Sequence, residues 1–310
     1  MKVEIRNEPA AKLKLVQGTA YQIETAPHLP KLPMSCLFNG VRGAGKSVAC
    51  VNLLRMFKET GTCQVVILVS PTWGSNRELM KVLDIKEEHI FEDPDTDPEG
   101  VLQSIDAIGN AERDEFEEYM RKKKKYDLMM QKIHDGEALM DEEYDRFITL
   151  HFDYASNTFR PPEAKHECWK EGKPASLFLV LDDCLSTRLF SSRKLVNLFA
   201  RHRHKFPLSD GSGALGLSIM TLIQSFKSQS GGCPPAIRKN CTHMVIFKCR
   251  CEQELKSVAE CFAGEFDTEE FMKLHKYATE EKHSFLFIDT SPKPNHSHFR
   301  KQFDKHLFIK

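Results

Sequence analysis

The stretch Gly40-Val41-Arg42-Gly43-Ala44-Gly45-Lys46-Ser47 limits what this chain can fold into more than any other. It satisfies the pattern Gly-x-x-x-x-Gly-Lys-Ser/Thr in full. It also lies between the apolar run Met34 to Phe38 and a helix-like segment, Val48 to Phe57. Each part answers a chemical need. Glycines let the backbone curl so that successive N–H groups face one point, and the following helix turns the positive end of its dipole toward the same point. Such a cradle fits phosphate oxygens. Gly40, Gly43, Ala44, Gly45, Lys46, Ser47 and Val48 are therefore the expected nucleotide-binding set. Within it Lys46 reaches the β and γ phosphates, and the Ser47 hydroxyl ligates magnesium.

The surrounding pattern supplies the context this loop needs. Gly61 ends the helix, and Gln64 to Pro71 is a near-continuous apolar run of the kind buried on both faces of a parallel sheet. Strand, helix and strand in succession make a βαβ unit. Thr72-Trp73 follows at the strand's carboxyl end, where α/β sheets place ligands, and Trp73 is read as packing. A second run, Leu177 to Leu181, ends in Asp182-Asp183. A carboxylate emerging there beside a phosphate loop is what a Walker B strand requires. Asp182 is expected to hold magnesium through water and Asp183 to polarise the attacking water. A third run, Leu215 to Ile223, ends in Gln224, which can sense the γ phosphate from a neighbouring strand end. His243 to Lys248 and Ser284 to Asp289 read as further core strands. Ser191 to Ala200, Glu252 to Phe262 and Thr268 to Tyr277 read as helices. The fold class is α/β, a mostly parallel sheet flanked by helices.

With 310 residues the chain has room for one large α/β domain or two small ones. The pattern divides it into a lead-in over 1–33, with a short strand around Tyr21 to Ile23, a phosphate-loop domain over 34–290 and a basic tail over 291–310. Within the domain, 92–176 is a charged, partly helical insertion, its helix read over Glu112 to Met140. Its basic run Arg121 to Lys125 reads as a solvated helix face balanced by Glu115, Glu117 and Glu118. The tail interleaves basic residues with Phe299, Phe303 and Phe308, which suits either DNA contact or a docking strand. Lys+Arg and Asp+Glu are both 44, so contact with nucleic acid must come from local basic patches. The 10 cysteines form no Cys-x-x-Cys pair and read as reduced thiols. The charged N-terminus excludes a secretory signal, and no apolar run approaches the ~18 residues that span a bilayer, so no membrane partner is expected.

The order of these features resembles a known family. A complete phosphate loop, Asp182-Asp183, Arg201-His202 after the next helix, Gln224, then Pro235, Ile237-Arg238 and Asn240 are similar to the pattern of the DNA-packaging ATPases of poxviruses, related large DNA viruses and virophages. Those belong to the FtsK/HerA superfamily of ring-forming DNA translocases, and the likeness covers about residues 34 to 290. It implies a RecA-like core with an extra strand between the phosphate-loop strand and the Walker B strand. It further implies ATP and magnesium as cofactors, double-stranded DNA as the partner, a ring homo-oligomer, taken as a hexamer, and a capsid or portal protein as a further contact. The implied setting is the cytoplasm of an infected cell or a virus factory, with association to the virion. A neighbour's arginine would complete each site, with Arg238 and Arg201 the candidates ahead of Arg203. The superfamily usually carries Glu as the second acid, so Asp183 is one methylene shorter. A small-molecule or nucleoside kinase shares the phosphate loop but gives no reason for Asp182-Asp183 followed a strand later by Gln224. A non-hydrolysing switch protein is a third reading, against which Ser47, Asp182 and Asp183 are all intact.

Overall fold

The computed structural model describes residues 23–136, 141–227, 232–249, 251–261 and 267–308. Most of the expected early strand, residues 21–22, lies outside them, as do residues 137–140 of the expected insertion helix and Phe262. Ile23 forms an isolated antiparallel bridge with Leu32.

The apolar runs become strands buried on both faces: β1 (Ser35–Asn39), β2 (Val65–Val69), β6 (Leu177–Asp182), β7 (Ser218–Ile223) and β8 (His243–Phe247). Together with β3 (Ile90–Phe91), β9 (Phe285–Asp289), β10 (Phe299–Lys301) and β11 (Lys305–Leu307) they form a nine-stranded sheet ordered β11-β10-β9-β8-β1-β7-β6-β2-β3. From β8 to β3 every pairing is parallel, whereas β9, β10 and β11 are added antiparallel. Strand β7 therefore sits between the phosphate-loop strand and the acid-bearing strand. Parallel strands end on a common edge, so Asn39, Val69, Asp182, Ile223 and Phe247 all arrive there. The fold is the expected α/β class, a mostly parallel sheet flanked by helices, with the extra strand that a RecA-like core implies.

Alternation along each strand feeds two cores. Cys36 and Phe38 join Leu53, Leu54 and Phe57 of α1 (Lys46–Glu59), beside α2 (Trp73–Lys81). Leu37 faces the opposite side, where Leu198 and Phe199 of α6 (Arg193–Arg201), Ile237 of α7 (Pro235–Lys239), Val258 of α8 (Glu252–Glu260) and Phe271 of α9 (Thr268–Ala278) pack. Trp73 packs half-buried against the α1 core. Strand β7 begins at Ser218 rather than at Leu215, because the backbone N–H groups of Leu215 and Leu217 donate to Phe206 O and His202 O instead of to a neighbouring strand.

The insertion's helix starts earlier than the expected Glu112. Helix α3 (Pro98–His134) takes the acidic turn as its cap: Asp97 Oδ1 accepts from Gly100 N at 2.8 Å, and Pro98 occupies the first turn. Two aromatic clusters complete the block, Phe116 and Tyr119 with Trp169, and Tyr126 and Met129 with Phe147. They draw in α4 (Asp141–His151), the hairpin β4 (Phe152–Asp153) to β5 (Thr158–Phe159), and α5 (Glu167–Lys170). The expected charge balance holds for Glu118, which pairs with Lys122. Glu115 instead pairs with Lys165, and Glu117 accepts from Ser209. Gly109 seats the helix on the core: a Cβ there would stand 2.0 Å from the Phe206 ring. Gly109→Ala should lower unfolding free energy by about 1–3 kcal/mol through overpacking. Urea denaturation checks this, and an unchanged midpoint would mean that α3 can lift off Phe206.

Beyond residue 290 the chain adds β10 and β11 to the sheet edge. Arg300 is buried and donates to His28 O and Phe303 O, and Lys293 Nζ donates to Thr25 O and Ala26 O, tying this segment to residues 25–28.

Candidate phosphate-binding and catalytic site

Gly40 N donates to Ile223 O at 3.2 Å, extending the β1–β7 ladder by one residue before the loop turns. Gly40 is required by packing, since a Cβ would meet Phe247 Cβ at 2.8 Å. Gly45 is required by conformation: its φ of +107° lies where L side chains are strained, and Gly43 is also left-handed. Gly45 caps α1, accepting from Ala49 N, while no side chain caps the helix and no acidic residue lies in its first turn. First-turn N–H groups of this kind suit an anion, so the residues present fit a phosphate group.

Lys46 curls over the loop, its Nζ donating to Gly40 O at 2.7 Å and to Val41 O at 3.2 Å. Burial pulls its ammonium below the usual lysine range, and the carboxylates of Asp182 and Asp183 act in the opposite direction. Ser47 is half-buried on the first turn, and Val48 is 50% exposed beside it.

The acids meet this loop from β6. Asp182 is buried at the strand end, in register with Leu222 of β7. Asp183 follows with φ +55°, a left-handed residue at the turn off the sheet. Gln224, one residue past the end of β7, donates from Nε2 to Asp183 Oδ1 at 2.8 Å. Cys184 Sγ contacts Val69 O and Asp182 O, each at 3.3 Å, pinning this turn to β2, and burial pushes its thiol up. Hard oxygens from a serine and a carboxylate are the donor set magnesium takes alongside water and phosphate. Among the described residues no three of His, Cys, Asp and Glu gather into a metal cage.

Loop, acids and Gln224 thus converge on the carboxyl edge, whereas the two arginines do not join them in the same way. The Arg238 guanidinium lies 5.0 Å from the centroid of the Phe226 ring, two residues past Gln224. Arg201 is exposed at the end of α6, next to His202, whose O accepts from Leu217 N just before β7 begins. That is the amino edge, away from the phosphate loop of its own chain. His202 itself is buried, with Nδ1 2.9 Å from Leu217 O. Burial depresses it to about 4, with Arg203, His204 and His243 adding to the effect and the Leu217 carbonyl opposing it.

The native state therefore keeps His202 neutral while the unfolded chain protonates near 6.5. Stability should be lost as pH falls from about 6.5 to about 4, by on the order of 2–3 kcal/mol. His202→Asn, which can still donate to Leu217 O, should flatten this slope in urea titrations at several pH values. An unchanged slope would clear His202 of the effect.

Three residues at the site carry no sequence signal. Asn39 Oδ1 and Thr221 Oγ1 are buried on β1 and β7 and make no hydrogen bond among the described residues. His283 comes from the turn before β9, its Nδ1 lying 3.1 Å from Ala44 O of the phosphate loop. It sits in the charged stretch Glu280-Glu281-Lys282-His283, and only the antiparallel return of β9 brings that turn to the carboxyl edge.

No protein-family model and no curated protein matches the chain. Among solved structures, it is similar to the genome packaging NTPase B204 from Sulfolobus turreted icosahedral virus 2 in complex with ATP-gammaS. The TM-score is 0.39 at 10% identity, covering 83% of this chain and 92% of that one. It is also similar to the pCW3 conjugation coupling protein TcpA, monomer form with ATPgS, with a TM-score of 0.35 at 13% identity, covering 82% of this chain and 57% of that one.

Proposed function

We propose that this chain is a magnesium-dependent ATPase whose hydrolysis moves duplex DNA, in the packaging of a viral genome into a capsid. The observation that carries the reading is the Gln224–Asp183 hydrogen bond at the edge where the phosphate loop ends β1. An amide and an acid meet there because β7 is inserted between β1 and β6.

In this reading the loop N–H groups and the first turn of α1 bind the phosphates. Lys46 exchanges its bonds to Gly40 O and Val41 O for phosphate oxygens, so its charge is delivered from a preformed position. Ser47 and Asp182 hold magnesium, which when bound offsets the charge on the phosphates. Asp183 orients the attacking water and accepts its proton, and Gln224 fixes the position of that shorter acid. Arg201, exposed at the edge opposite its own loop, fits a role toward a neighbouring copy in a ring, and Arg238 is the alternative finger. Duplex contacts follow the phosphate backbone, so affinity is sequence-independent and falls with salt. A capsid or portal protein would anchor the ring, in the cytoplasm or virus factory of an infected cell.

Steady-state hydrolysis of magnesium-ATP with and without long duplex DNA tests the reading. Several-fold stimulation that fades as salt rises is the expected result. Hydrolysis indifferent to DNA would leave the nucleotide site standing and remove the translocase, returning the chain to another phosphate-loop NTPase such as a small-molecule or nucleoside kinase.

A further inference from the structure

We infer that His283 is a positioning residue for the phosphate loop, an inference that rests on the nucleotide-binding reading above. A carbonyl oxygen can only accept, so the His283 ring must donate its Nδ1–H to Ala44 O, 3.1 Å away. Ala44 O belongs to the same planar trans peptide as the Gly45 N–H, and in such a peptide the two groups point in opposite directions. Holding the carbonyl toward His283 fixes the N–H on the other side of the peptide. Gly45 needs this help. At φ +107° it has no side chain to lock the peptide, and it is the cap residue on which α1 begins. Drawing on the carbonyl also polarises the attached N–H, which makes it a stronger donor to an anion.

The turn that carries His283 is itself held. His283 takes φ +64°, a conformation that an ordinary side chain adopts only when its surroundings demand it. Ser284 N and Oγ both donate to Glu281 O, and Glu281 Oε1 accepts from Lys301 Nζ of β10 at 2.7 Å. Phe247, which packs against Gly40, pairs with Phe285 immediately beyond this turn, and its carbonyl lies 3.0 Å from His275 Nε2 of α9. The loop is thus braced at its start by Phe247 of β8 and near its end by His283 of the turn that leads into β9. His283 is exposed, so its ring contributes little to the core.

Two variants separate the ring's donor from the strained backbone. His283→Gly keeps the left-handed conformation and removes the donor. His283→Asn tolerates the same conformation and carries its Nδ2 at the bond position of the histidine Nδ1. The readout is the dissociation constant of a fluorescent ATP analogue with magnesium, beside the thermal midpoint of each full-length variant. The expected result is that His283→Gly weakens binding by about fivefold to tenfold at an unchanged midpoint, and that His283→Asn restores binding to within about twofold. Binding by His283→Gly within about twofold of the parent, or equal loss in both variants, would overturn the inference. If the parent chain binds no analogue, the nucleotide reading fails, and this inference fails with it.

Discussion

Lys46→Ala should reduce ATP hydrolysis by at least ~10³-fold while leaving the fold intact. The side chain is half-buried at the carboxyl edge, where it lies within electrostatic reach of Asp182 and Asp183. Its removal leaves developing phosphate charge without a preorganised cation and leaves two acidic groups without their opposing charge. Lys46→Arg should fare little better. A planar guanidinium cannot replace a compact ammonium that bonds Gly40 O and Val41 O from one nitrogen. A phosphate-release assay beside circular dichroism checks both variants, and activity within tenfold of the parent would remove Lys46 from the site.

Asp182→Asn should lower turnover by about 10²–10³-fold and raise the magnesium concentration that turnover requires, with ATP binding in the absence of metal nearly unchanged. The substitution keeps volume at a position that is 4% exposed, so β6 and its register with β7 should survive. Asp183→Asn separates the second acid from the first. Asparagine retains an Oδ1 that can accept from Gln224, so a loss of turnover there reports the missing proton acceptor rather than a lost contact. Equal activity of Asp182→Asn and the parent across a magnesium titration would contradict the assignment.

What was legible in the sequence follows physical range. The phosphate loop and α1 are local: two left-handed glycines, a lysine and a serine lie within a few residues of one another, and the fold leaves them there. The buried strands announce themselves by unbroken apolar runs, and their parallel arrangement carries Asp182, Asp183 and Gln224 to one edge. The rest depends on contacts that no local pattern encodes. His283 reaches Ala44 across 239 residues. Glu115 and Glu117, read beside the basic run of their own helix, find Lys165 and Ser209 instead. The segment after 290 reads as a basic tail because Arg300 and Lys301 are charged. Of the two uses that fit such a tail, DNA contact or a docking strand, the fold shows strands: β10, antiparallel between β9 and β11, buries both, and Phe303 packs against Phe285 and Phe287. Strand β7 reads three residues too long because apolar content alone does not distinguish a strand from a buried approach to one.

The proposal that hydrolysis at this site moves duplex DNA is tested most directly by displacement of a triplex-forming oligonucleotide from a long duplex. The predicted result is release that requires magnesium and ATP, fails with a non-hydrolysable analogue and is absent in Asp182→Asn. Sustained ATP hydrolysis on the same duplex, with the oligonucleotide left in place, would contradict it.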